Sequence, residues 1–480
     1  MVHAAPAVND VFTKGKLPLP NAEPAVGAEV ELEITGLGHG GEGVGRWRGL
    51  AVFVPGTVPG ERVRARIVET KKNHCRGRLT EILRSSMDRI EPGCAHFGTC
   101  GGCQLLHMSY PEQLRWKTAR VRENLRRLGG LAGVPVAPTV GMDFPWHYRN
   151  KVHLHAEWVV DRLVLGFFRR GSHTVANRDS GPLCACRLVH IDLLRLARRA
   201  SQILEQLEVP LFAWPQRRGY LRNLVLRRGA VTGEMMLVLV TGREDWSAEA
   251  ECVRRLTAAE PRLVSVIRNV NLSAGRGVLG PECRLLAGKP AITDRLLDLQ
   301  FRIGPTSFFQ VNPAQAEKLY RIAADFAGLT GRETVVDAYS GTGTIALYLA
   351  SRARRVIGLE ALGPAVADAR ENARLNQVQN VRFVQGAVEA LLPGLGAGSD
   401  PVDVVILDPP RRGCAPEVLD ALIRLQPSRV VYLSCDPATL ARDLGYLARS
   451  GFAVRRVQPV DMFPQTGHVE CVARLESSRK

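Results

Sequence analysis

An alternation of short apolar segments and helical patterns, running from about residue 293 to the end of the chain, constrains the fold more than any other feature. The apolar segments, each of strand length, occupy residues 333–337, 355–360, 381–385, 402–408 and 429–434. Strands that alternate with helices favour a parallel sheet covered by helices on both faces. The sequence therefore predicts a doubly wound, Rossmann-like α/β domain over residues 293–480.

A glycine-rich turn follows the first of these predicted strands. Gly341 and Gly343 allow the backbone to turn tightly and to approach a ligand closely. The next predicted strand ends in Glu360, about twenty residues further on, a spacing typical of sites that bind a ribose diol. The turn predicts a nucleotide site but is compatible with either NAD or S-adenosylmethionine.

Three later segments narrow the chemistry. Asp408 begins an Asp-Pro-Pro sequence at the end of a predicted strand, where open α/β sheets bind their ligands. An aromatic residue after the prolines would favour methylation of a base amino group, but Arg411 stands there. Cys435 follows the next predicted strand and is a candidate nucleophile, although buried structural cysteines are common. His468 and Glu470 are candidates for proton transfer, or else solvated polar residues.

The part of the chain before residue 293 has a different organisation. Residues 1–23 are rich in Pro and Ala and predict a disordered tail without the apolar core of a signal peptide. Residues 24–84 contain short alternating strands with Gly-rich turns, a pattern typical of a small β-barrel. Residues 85–292 predict a central α+β domain. Because no apolar run reaches membrane-spanning length, we expect a cytoplasmic protein that does not enter membranes.

The charge of the chain indicates a polyanionic partner. Its 480 residues include 64 Lys and Arg against 47 Asp and Glu, giving a formal net charge of +17. Such an excess favours nucleic acid as a ligand, although a generally basic protein from a GC-rich genome fits it too. A predicted helix at residues 110–128 is rich in Arg, and its basic face is either simply solvated or tracks phosphates.

A short loop concentrates three of the eleven cysteines. An odd number of cysteines in a protein expected in a reducing compartment argues against a disulfide framework. Cys94, Cys100 and Cys103 follow a C-x5-C-x2-C spacing, which suggests an iron–sulfur centre. Zinc remains an alternative, since it also takes four cysteine ligands.

These segments together resemble the RNA (uracil-5-)-methyltransferase family. The resemblance rests on residues 307–312, 337–344, 408–413, 434–437 and 463–470, which occur in the family's order. Residues 148–151 and 166–169 are also similar to the family, and residues 24–84 are similar to its RNA-binding TRAM barrel, which some members lack. The resemblance covers nearly all of the chain after residue 24.

The resemblance implies a set of site residues. S-adenosylmethionine would be the methyl donor, contacted by Gln310, Tyr339, Glu360 and Asp408, together with Gly341, Gly343 and Thr344 of the turn. Cys435 would be the nucleophile and Glu470 the general base. The sequence departs from the family at Ser340, which replaces a frequent Cys, at Thr344, which is often Asn, and at Ala387, where a polar cofactor contact is common.

The resemblance also implies a [4Fe–4S] cluster held by the three loop cysteines and a fourth, distant one. Both Cys184 and Cys186 are candidates, and the context after Cys186 is more similar to the family. The cluster would be structural or would help to hold RNA. The implied substrate is a uridine in RNA, and the barrel and the cysteine loop favour 23S ribosomal RNA over transfer RNA.

Two other functions compete with this interpretation. An RNA cytosine-5 methyltransferase also uses a cysteine nucleophile, but it usually has a Pro-Cys motif, and Ser434 precedes Cys435 here. A non-catalytic RNA-binding protein or chaperone on the same fold predicts loss of the nucleophile or the base, whereas Cys435 and Glu470 are both present. We expect a monomer without an obligate protein partner.

Overall fold

The computed structural model describes residues 24–178, 186–213, 216–273, 277–395 and 401–478. The predicted tail at residues 1–23 and Cys184 lie outside these ranges. The described residues up to Arg89 form one compact unit, and those from Ile90 onward form a second. In the described ranges, no helix is both long and apolar enough to cross a membrane.

The first unit contains a closed five-stranded barrel, which confirms the small β-barrel predicted from the alternating pattern. Its strands are β1 (Glu29–Leu37), β2 (Gly43–Trp47), β3 (Leu50–Val54), β4 (Arg62–Lys71) and β5 (His74–Arg84), in the order β1–β2–β3–β5–β4. Along β1, Val30, Leu32 and Ile34 are buried in the barrel core, and the residues between them are exposed. A period of two along a strand places alternate side chains inside the barrel.

A helix in the second unit follows the cysteine loop. Helix α1 (Tyr110–Asn124) continues through a π-helical turn at Leu125–Gly129. The Ser109 side chain accepts a hydrogen bond from the Glu112 backbone N–H at 3.4 Å and so caps the first turn. Gly130 ends the helix with φ of 68°, in the left-handed region that glycine adopts without strain. The helix predicted at residues 110–128 is therefore confirmed.

A six-stranded mixed sheet forms the central region. Its strands are β6 (Lys151–Val159), β7 (Arg162–Gly166), β8 (Leu221–Arg228), β9 (Met235–Thr241), β10 (Leu263–Val270) and β11 (Glu282–Gly288), in the order β11–β10–β9–β8–β6–β7. Helices α2 (Ile191–Gln206) and α3 (Glu249–Ala259) share an apolar core with this sheet. Val225, Met236 and Val238 of β8 and β9 instead join the core of the C-terminal region.

The C-terminal region contains a seven-stranded sheet, preceded by the ribbon β12 (Ile292–Leu296) and β13 (Leu299–Ile303) and by helix α4 (Pro313–Ala327). The sheet consists of β14 (Thr334–Ala338), β15 (Arg355–Glu360), β16 (Val381–Gln385), β17 (Val404–Leu407), β18 (Arg429–Ser434), β19 (Phe452–Val460) and β20 (Glu470–Ser477). The helices that accompany it are α5 (Thr344–Ala350), α6 (Gly363–Leu375), α7 (Val388–Leu391), α8 (Pro416–Leu425) and α9 (Pro437–Arg449).

The strand order of this sheet is β16–β15–β14–β17–β18–β20–β19. Strands β14 to β18 pair in parallel, and β20 lies antiparallel between β18 and β19. Separate apolar cores cover the two faces, which confirms the doubly wound prediction. The strand order reverses at β14, so a ligand is expected at the carboxyl ends of β14 and its neighbours.

Candidate active site

The turn after β14 is shaped by glycines that no other residue could replace without strain. Gly341 and Gly343 have φ of 53° and 83°, and a Cβ atom at Gly343 would lie 2.6 Å from the Phe383 ring. The Glu360 carboxylate accepts hydrogen bonds from the backbone N–H of Gly341 at 3.0 Å and of Leu362 at 2.8 Å. The structure therefore brings the predicted turn and the predicted acidic residue into direct contact.

Other predicted cofactor residues lie at the same edge of the sheet. Tyr339 adopts φ of 67°, a conformation that is strained for a non-glycine residue, and its hydroxyl donates to Glu389 at 3.4 Å. The hydroxyls of Thr344, at the start of α5, and Thr342 lie 3.5 Å apart. Ala387 precedes α7 and supplies no polar side chain here, although Glu389 lies two residues further on.

A buried group of acidic side chains lies beneath this turn. Burial and the charge of Asp408 raise the pKa of Asp337 to about 8, and burial raises the pKa of Asp408 to about 7. Asp337 accepts a hydrogen bond from the Ala346 backbone N–H at 2.9 Å through one oxygen. Among the described residues, its other oxygen and the Ser340 hydroxyl are buried without a hydrogen-bond partner. Buried polar atoms of this kind call for a ligand or water.

Cys435 and Glu470 come together because β18 and β20 are paired. Ser434 lies opposite Cys471 in the antiparallel register, so the next residue of one strand, Cys435, faces the preceding residue of the other, Glu470. Burial, followed by the charges of Glu470 and Asp408, raises the pKa of the Cys435 thiol to about 11. Burial and the charge of Asp408 raise the pKa of Glu470 to about 8. A thiol and a carboxyl group, each with a raised pKa, thus lie next to each other at the carboxyl edge of the sheet.

Two residues near Cys435 and Glu470 were not identified as functional from the sequence. The charge of Arg411 lowers the pKa of both Cys435 and Glu470, against the effect of burial. Tyr320 of α4 is buried, and its hydroxyl is hydrogen-bonded with the side chain of Gln310; burial and the charge of Asp408 raise its pKa. The Asp-Pro-Pro-Arg sequence could have indicated Arg411, whereas no sequence signal distinguishes Tyr320 from an ordinary core residue.

The loop between β19 and β20, residues 461–469, is held by buried polar contacts. Lys117 of α1 and Asp461 form an ion pair at 2.6 Å with both side chains fully buried, and Tyr110 donates to the same carboxylate at 3.0 Å. Gln465, with φ of 70°, exchanges hydrogen bonds with Gln113 of α1 at 2.8 and 3.1 Å. His468 is exposed at the end of this loop. These contacts determine where β20, and therefore Glu470, begins.

The four candidate cluster cysteines, Cys94, Cys100, Cys103 and Cys186, lie near one another. Burial and the negative charges of Cys186, Cys100 and Cys94 all raise the pKa of Cys103, so the four sulfur atoms are close enough to interact. The backbone N–H groups of Leu188 and Val189 donate to Cys186. In the part of the chain that the structure describes, no group of three or more His, Cys, Asp or Glu residues meets the geometry of a metal-ion site.

The loop of cysteines is connected to the loop that precedes Glu470. The backbone N–H groups of Gln104 and Leu105, directly after Cys103, both donate to the carbonyl oxygen of Gln465 at 3.1 Å. Both the segment after the cysteine loop and helix α1 therefore form hydrogen bonds with Gln465.

Comparison with known proteins identifies the family. The family description "tRNA (Uracil-5-)-methyltransferase" matches residues 286–478, and the TRAM domain matches residues 25–80. A protein of Halalkalibacterium halodurans named an uncharacterized RNA methyltransferase is 42% identical over 447 residues, covering 93% of this chain and 96% of that protein. One of Caldanaerobacter subterraneus subsp. tengcongensis with the same description is 41% identical over 451 residues, covering 94% and 98%.

A solved structure is similar over the same extent. The crystal structure of Pyrococcus abyssi tRNA (uracil-54, C5)-methyltransferase in complex with S-adenosyl-L-homocysteine matches with a TM-score of 0.73 and 28% identity, covering 93% of this chain and 99% of that one. The chain therefore belongs to the RNA (uracil-5-)-methyltransferase family, whose members are S-adenosylmethionine-dependent enzymes, and it carries a TRAM domain near its N-terminus.

Proposed function

We propose that this enzyme methylates carbon 5 of a specific uridine in RNA, with Cys435 as the nucleophile and Glu470 as the general base. The observation that carries the proposal is the adjacency of these two side chains at the carboxyl edge of the sheet, beside Asp408. Carbon 5 of uracil is a poor nucleophile, so its methylation needs a thiolate, a base and a positioned methyl donor.

The roles of the two residues follow from this chemistry. The Cys435 thiolate adds to carbon 6 of the uracil, and carbon 5 becomes the nucleophilic carbon of an enolate. After carbon 5 has been methylated, the Glu470 carboxylate removes the proton from that carbon, and the thiolate leaves as the double bond re-forms. Arg411 favours the charged forms of both residues, because its cation lowers the pKa of each.

The residues at the turn fit S-adenosylmethionine, which when bound supplies an electrophilic methyl group. Gly341 leaves open space at the backbone, since a Cβ atom there would meet nothing within 4 Å, and the Glu360 carboxylate would hold a ribose diol. Gln310, Tyr339, Thr344 and Asp408 would complete the contacts. The buried atoms of Asp337 and Ser340 that have no partner among the described residues support this assignment, because a bound ligand or its waters would satisfy them.

Ribosomal RNA, specifically 23S RNA, is the substrate that we propose from the barrel and the cysteine loop. Transfer RNA is the second candidate, because the Pyrococcus abyssi enzyme is named for a tRNA uridine and its match covers 93% of this chain. Because an enzyme named for tRNA matches nearly the whole chain, the barrel and the cysteine loop become weaker evidence for ribosomal RNA. The target base must leave its stack to reach Cys435, which favours a loop of folded RNA in either case.

Nucleoside mass spectrometry tests the proposal. The purified enzyme is incubated with S-adenosylmethionine and either unmodified ribosomal RNA or unmodified transfer RNA, with Cys435→Ala as the control. We expect 5-methyluridine with the wild-type enzyme alone, and the RNA that acquires it identifies the substrate. If folded enzyme that binds the cofactor methylates neither RNA, the proposed reaction is wrong for these substrates.

We also propose that Cys94, Cys100, Cys103 and Cys186 hold a [4Fe–4S] cluster. Four thiolates are the usual ligands of such a cluster, and the mutual effect of these thiols on the pKa of Cys103 supports their convergence. Backbone N–H groups directed at the sulfur of Cys186 would stabilise its thiolate form. The cluster would hold the segment around Gln104 and Leu105 in place. It would take no part in the chemistry of methyl transfer.

Metal and sulfide analysis of anaerobically purified protein tests this assignment. The Cys186→Ala variant should lose iron and acid-labile sulfide, whereas Cys283→Ala, which removes an exposed cysteine of β11, should retain both. Zinc without sulfide in the wild-type protein would instead identify a zinc site, and iron retention by Cys186→Ala would leave Cys184 as the fourth ligand.

A further inference from the structure

A pair of like charges on adjacent strands of the central sheet needs an explanation. Lys151 of β6 lies directly opposite Arg227 of β8 in the antiparallel register. Like charges directly opposite each other destabilise a sheet, and Arg227 is only 2% exposed. Burial and the charge of Arg227 lower the pKa of Lys151 to about 7.

Carboxylates of the described residues do not balance this pair. Within those residues, Lys151 takes part in no ion pair, and Asp368 is the one carboxylate that influences Arg227. That carboxylate already accepts a hydrogen bond from Ser307 and pairs with Arg302 at 3.5 Å. The next side chain on the same face of β6, His153, is surrounded by cations, and burial together with the charge of Lys151 lowers its pKa to about 3.

Arg227 retains unused hydrogen-bonding capacity at this position. Its terminal nitrogen donates to the backbone carbonyls of Pro305 and Ser307. Its Nε atom is buried and has no hydrogen-bond partner in the described part of the chain. Lys151 and Arg227 both border a cavity of about 10 Å³, whose other walls include Asn150 and Phe309. It has room for one water but not for a phosphate, so an anion would meet Lys151 from outside the cavity. The buried guanidinium lies beside a half-buried lysine that has no carboxylate partner, so it adds to the positive potential that an anion at Lys151 would meet.

The position of this pair connects it with the active site. Asn150 donates through its backbone N–H to the carbonyl of Val311 at 3.0 Å and through its side chain to the carbonyl of Gln310 at 3.4 Å. Gln310 in turn is hydrogen-bonded with Tyr320, which is close to Asp408 and Glu470. Phe308, in the same segment, is an apolar side chain that is 66% exposed. Arg227 donates to the carbonyl of Ser307, the residue before Phe308, and surfaces that bind single-stranded nucleic acid combine cations with exposed aromatic rings.

We propose that Lys151, supported by Arg227, binds a phosphodiester of the substrate RNA close to the target uridine. The inference rests on the proposed function, since it identifies how the RNA strand reaches the site of methylation. The phosphate supplies the negative charge that this face of the sheet lacks. Without RNA, the like charges of Lys151 and Arg227 repel each other, and this repulsion lowers the stability of the free protein. Such a loss of stability is common at sites that serve function.

The test combines stability with RNA binding, because the proposal predicts opposite effects on the two. Lys151→Met keeps the length of the side chain and removes its charge. We expect its melting temperature to rise by about 1–3 °C, since repulsion from Arg227 is lost. Its affinity for a labelled, single-stranded, uridine-rich RNA should fall about fivefold at ~0.1 M salt, and the salt dependence should decrease by about 0.7 in slope, as expected for one phosphate contact.

Two control variants make the comparison specific. Lys151→Arg keeps the cation and should retain most of the RNA affinity of the wild type, without the rise in melting temperature expected of Lys151→Met. Lys289→Met removes a lysine that pairs with Glu234 at 2.7 Å, so it should not stabilise the protein. Unchanged RNA binding by Lys151→Met, or a lower melting temperature, would overturn the proposal.

This experiment is independent of the methylation assay, since binding is measured without S-adenosylmethionine. Failure of the wild-type enzyme to form 5-methyluridine would refute the proposed function but leave the difference between Lys151→Met and the wild type measurable. Conversely, an active enzyme whose RNA affinity does not depend on Lys151 would refute the phosphate site alone.

Discussion

Glu470 and Cys435 lie in an environment that opposes the charged form of each. The pKa of the carboxyl group is raised to about 8 and that of the thiol to about 11, in both cases chiefly by burial. Both groups are therefore mostly protonated at neutral pH in the protein alone. Binding of a cationic cofactor would lower both values, because a positive charge favours the thiolate and the carboxylate.

The raised pKa of Glu470 predicts a specific pH dependence of stability. Because the pKa of this carboxyl group rises from an ordinary value of 4.5 to about 8 on folding, the folded protein binds more protons between these values. Its stability therefore falls as pH rises through that window. Glu470→Gln removes this effect, so the variant should gain roughly a few kcal/mol relative to the wild type between pH ~5 and pH ~9. Urea unfolding at each pH measures the difference, and a constant difference would contradict the prediction.

The same substitution predicts a trapped intermediate. The side-chain amide that Glu470→Gln introduces cannot accept the carbon 5 proton, so Cys435 should remain bonded to the methylated uracil. We expect a band of covalent protein–RNA adduct on a denaturing gel after incubation with S-adenosylmethionine and substrate. The double variant Cys435→Ala/Glu470→Gln is the control and should give no adduct. Wild-type turnover by Glu470→Gln would exclude Glu470 as the base.

At the scale of elements, α1 and the loop at residues 461–469 form one buried polar unit. Lys117→Met would leave the Asp461 carboxylate buried without its cation. We expect a loss of about 3–5 kcal/mol in the free energy of unfolding, as when one partner of a buried ion pair is removed. Urea denaturation measures the loss, and a change within about 0.5 kcal/mol, as for a surface substitution, would contradict the prediction.

Two variants distinguish the effect of losing the Lys117–Asp461 ion pair from a general disruption of helix α1. Arg115→Ala alters a side chain of the same helix that is 61% exposed and should change stability by no more than about 0.5 kcal/mol. Lys117→Met/Asp461→Leu replaces both charges with apolar groups and should recover most of the lost stability.

The sequence predicted the local parts of the site better than their assembly. The turn at Gly341 and Gly343 follows from short-range backbone requirements, and a strand that ends next to Cys435 follows from apolar patterning. The antiparallel insertion of β20 was not predicted, because it depends on a pairing between segments distant in the chain. The polar face of α1 was considered a solvated or phosphate-binding face, whereas Lys117 is fully buried against Asp461. Composition cannot indicate which lysine has a buried partner.

At the scale of the whole molecule, the chain carries a net charge of +17. Many of the basic side chains of the barrel are nevertheless paired with acidic ones. Several basic side chains of β4 and β5 are paired with glutamates of the barrel itself; these ion pairs are Arg62–Glu31, Arg64–Glu31, Arg64–Glu81, Arg66–Glu29, Lys71–Glu69 and Arg84–Glu33. Pairing of this kind reduces the electrostatic attraction that the barrel can offer to phosphates. The barrel should therefore contribute to RNA binding mainly through its shape and through a few groups outside these pairs.

Removal of the barrel tests this distribution. Because the described residues from Ile90 onward form their own compact unit, a chain of residues 90–480 should fold cooperatively, bind S-adenosylmethionine with unchanged affinity and bind RNA more weakly. We expect the slope of log affinity against log salt to decrease by no more than about 2, because the cations of these ion pairs are already compensated by glutamates. Fluorescence anisotropy across a salt series measures the slope. A larger decrease would mean that the paired arginines exchange their glutamate partners for phosphates when RNA binds.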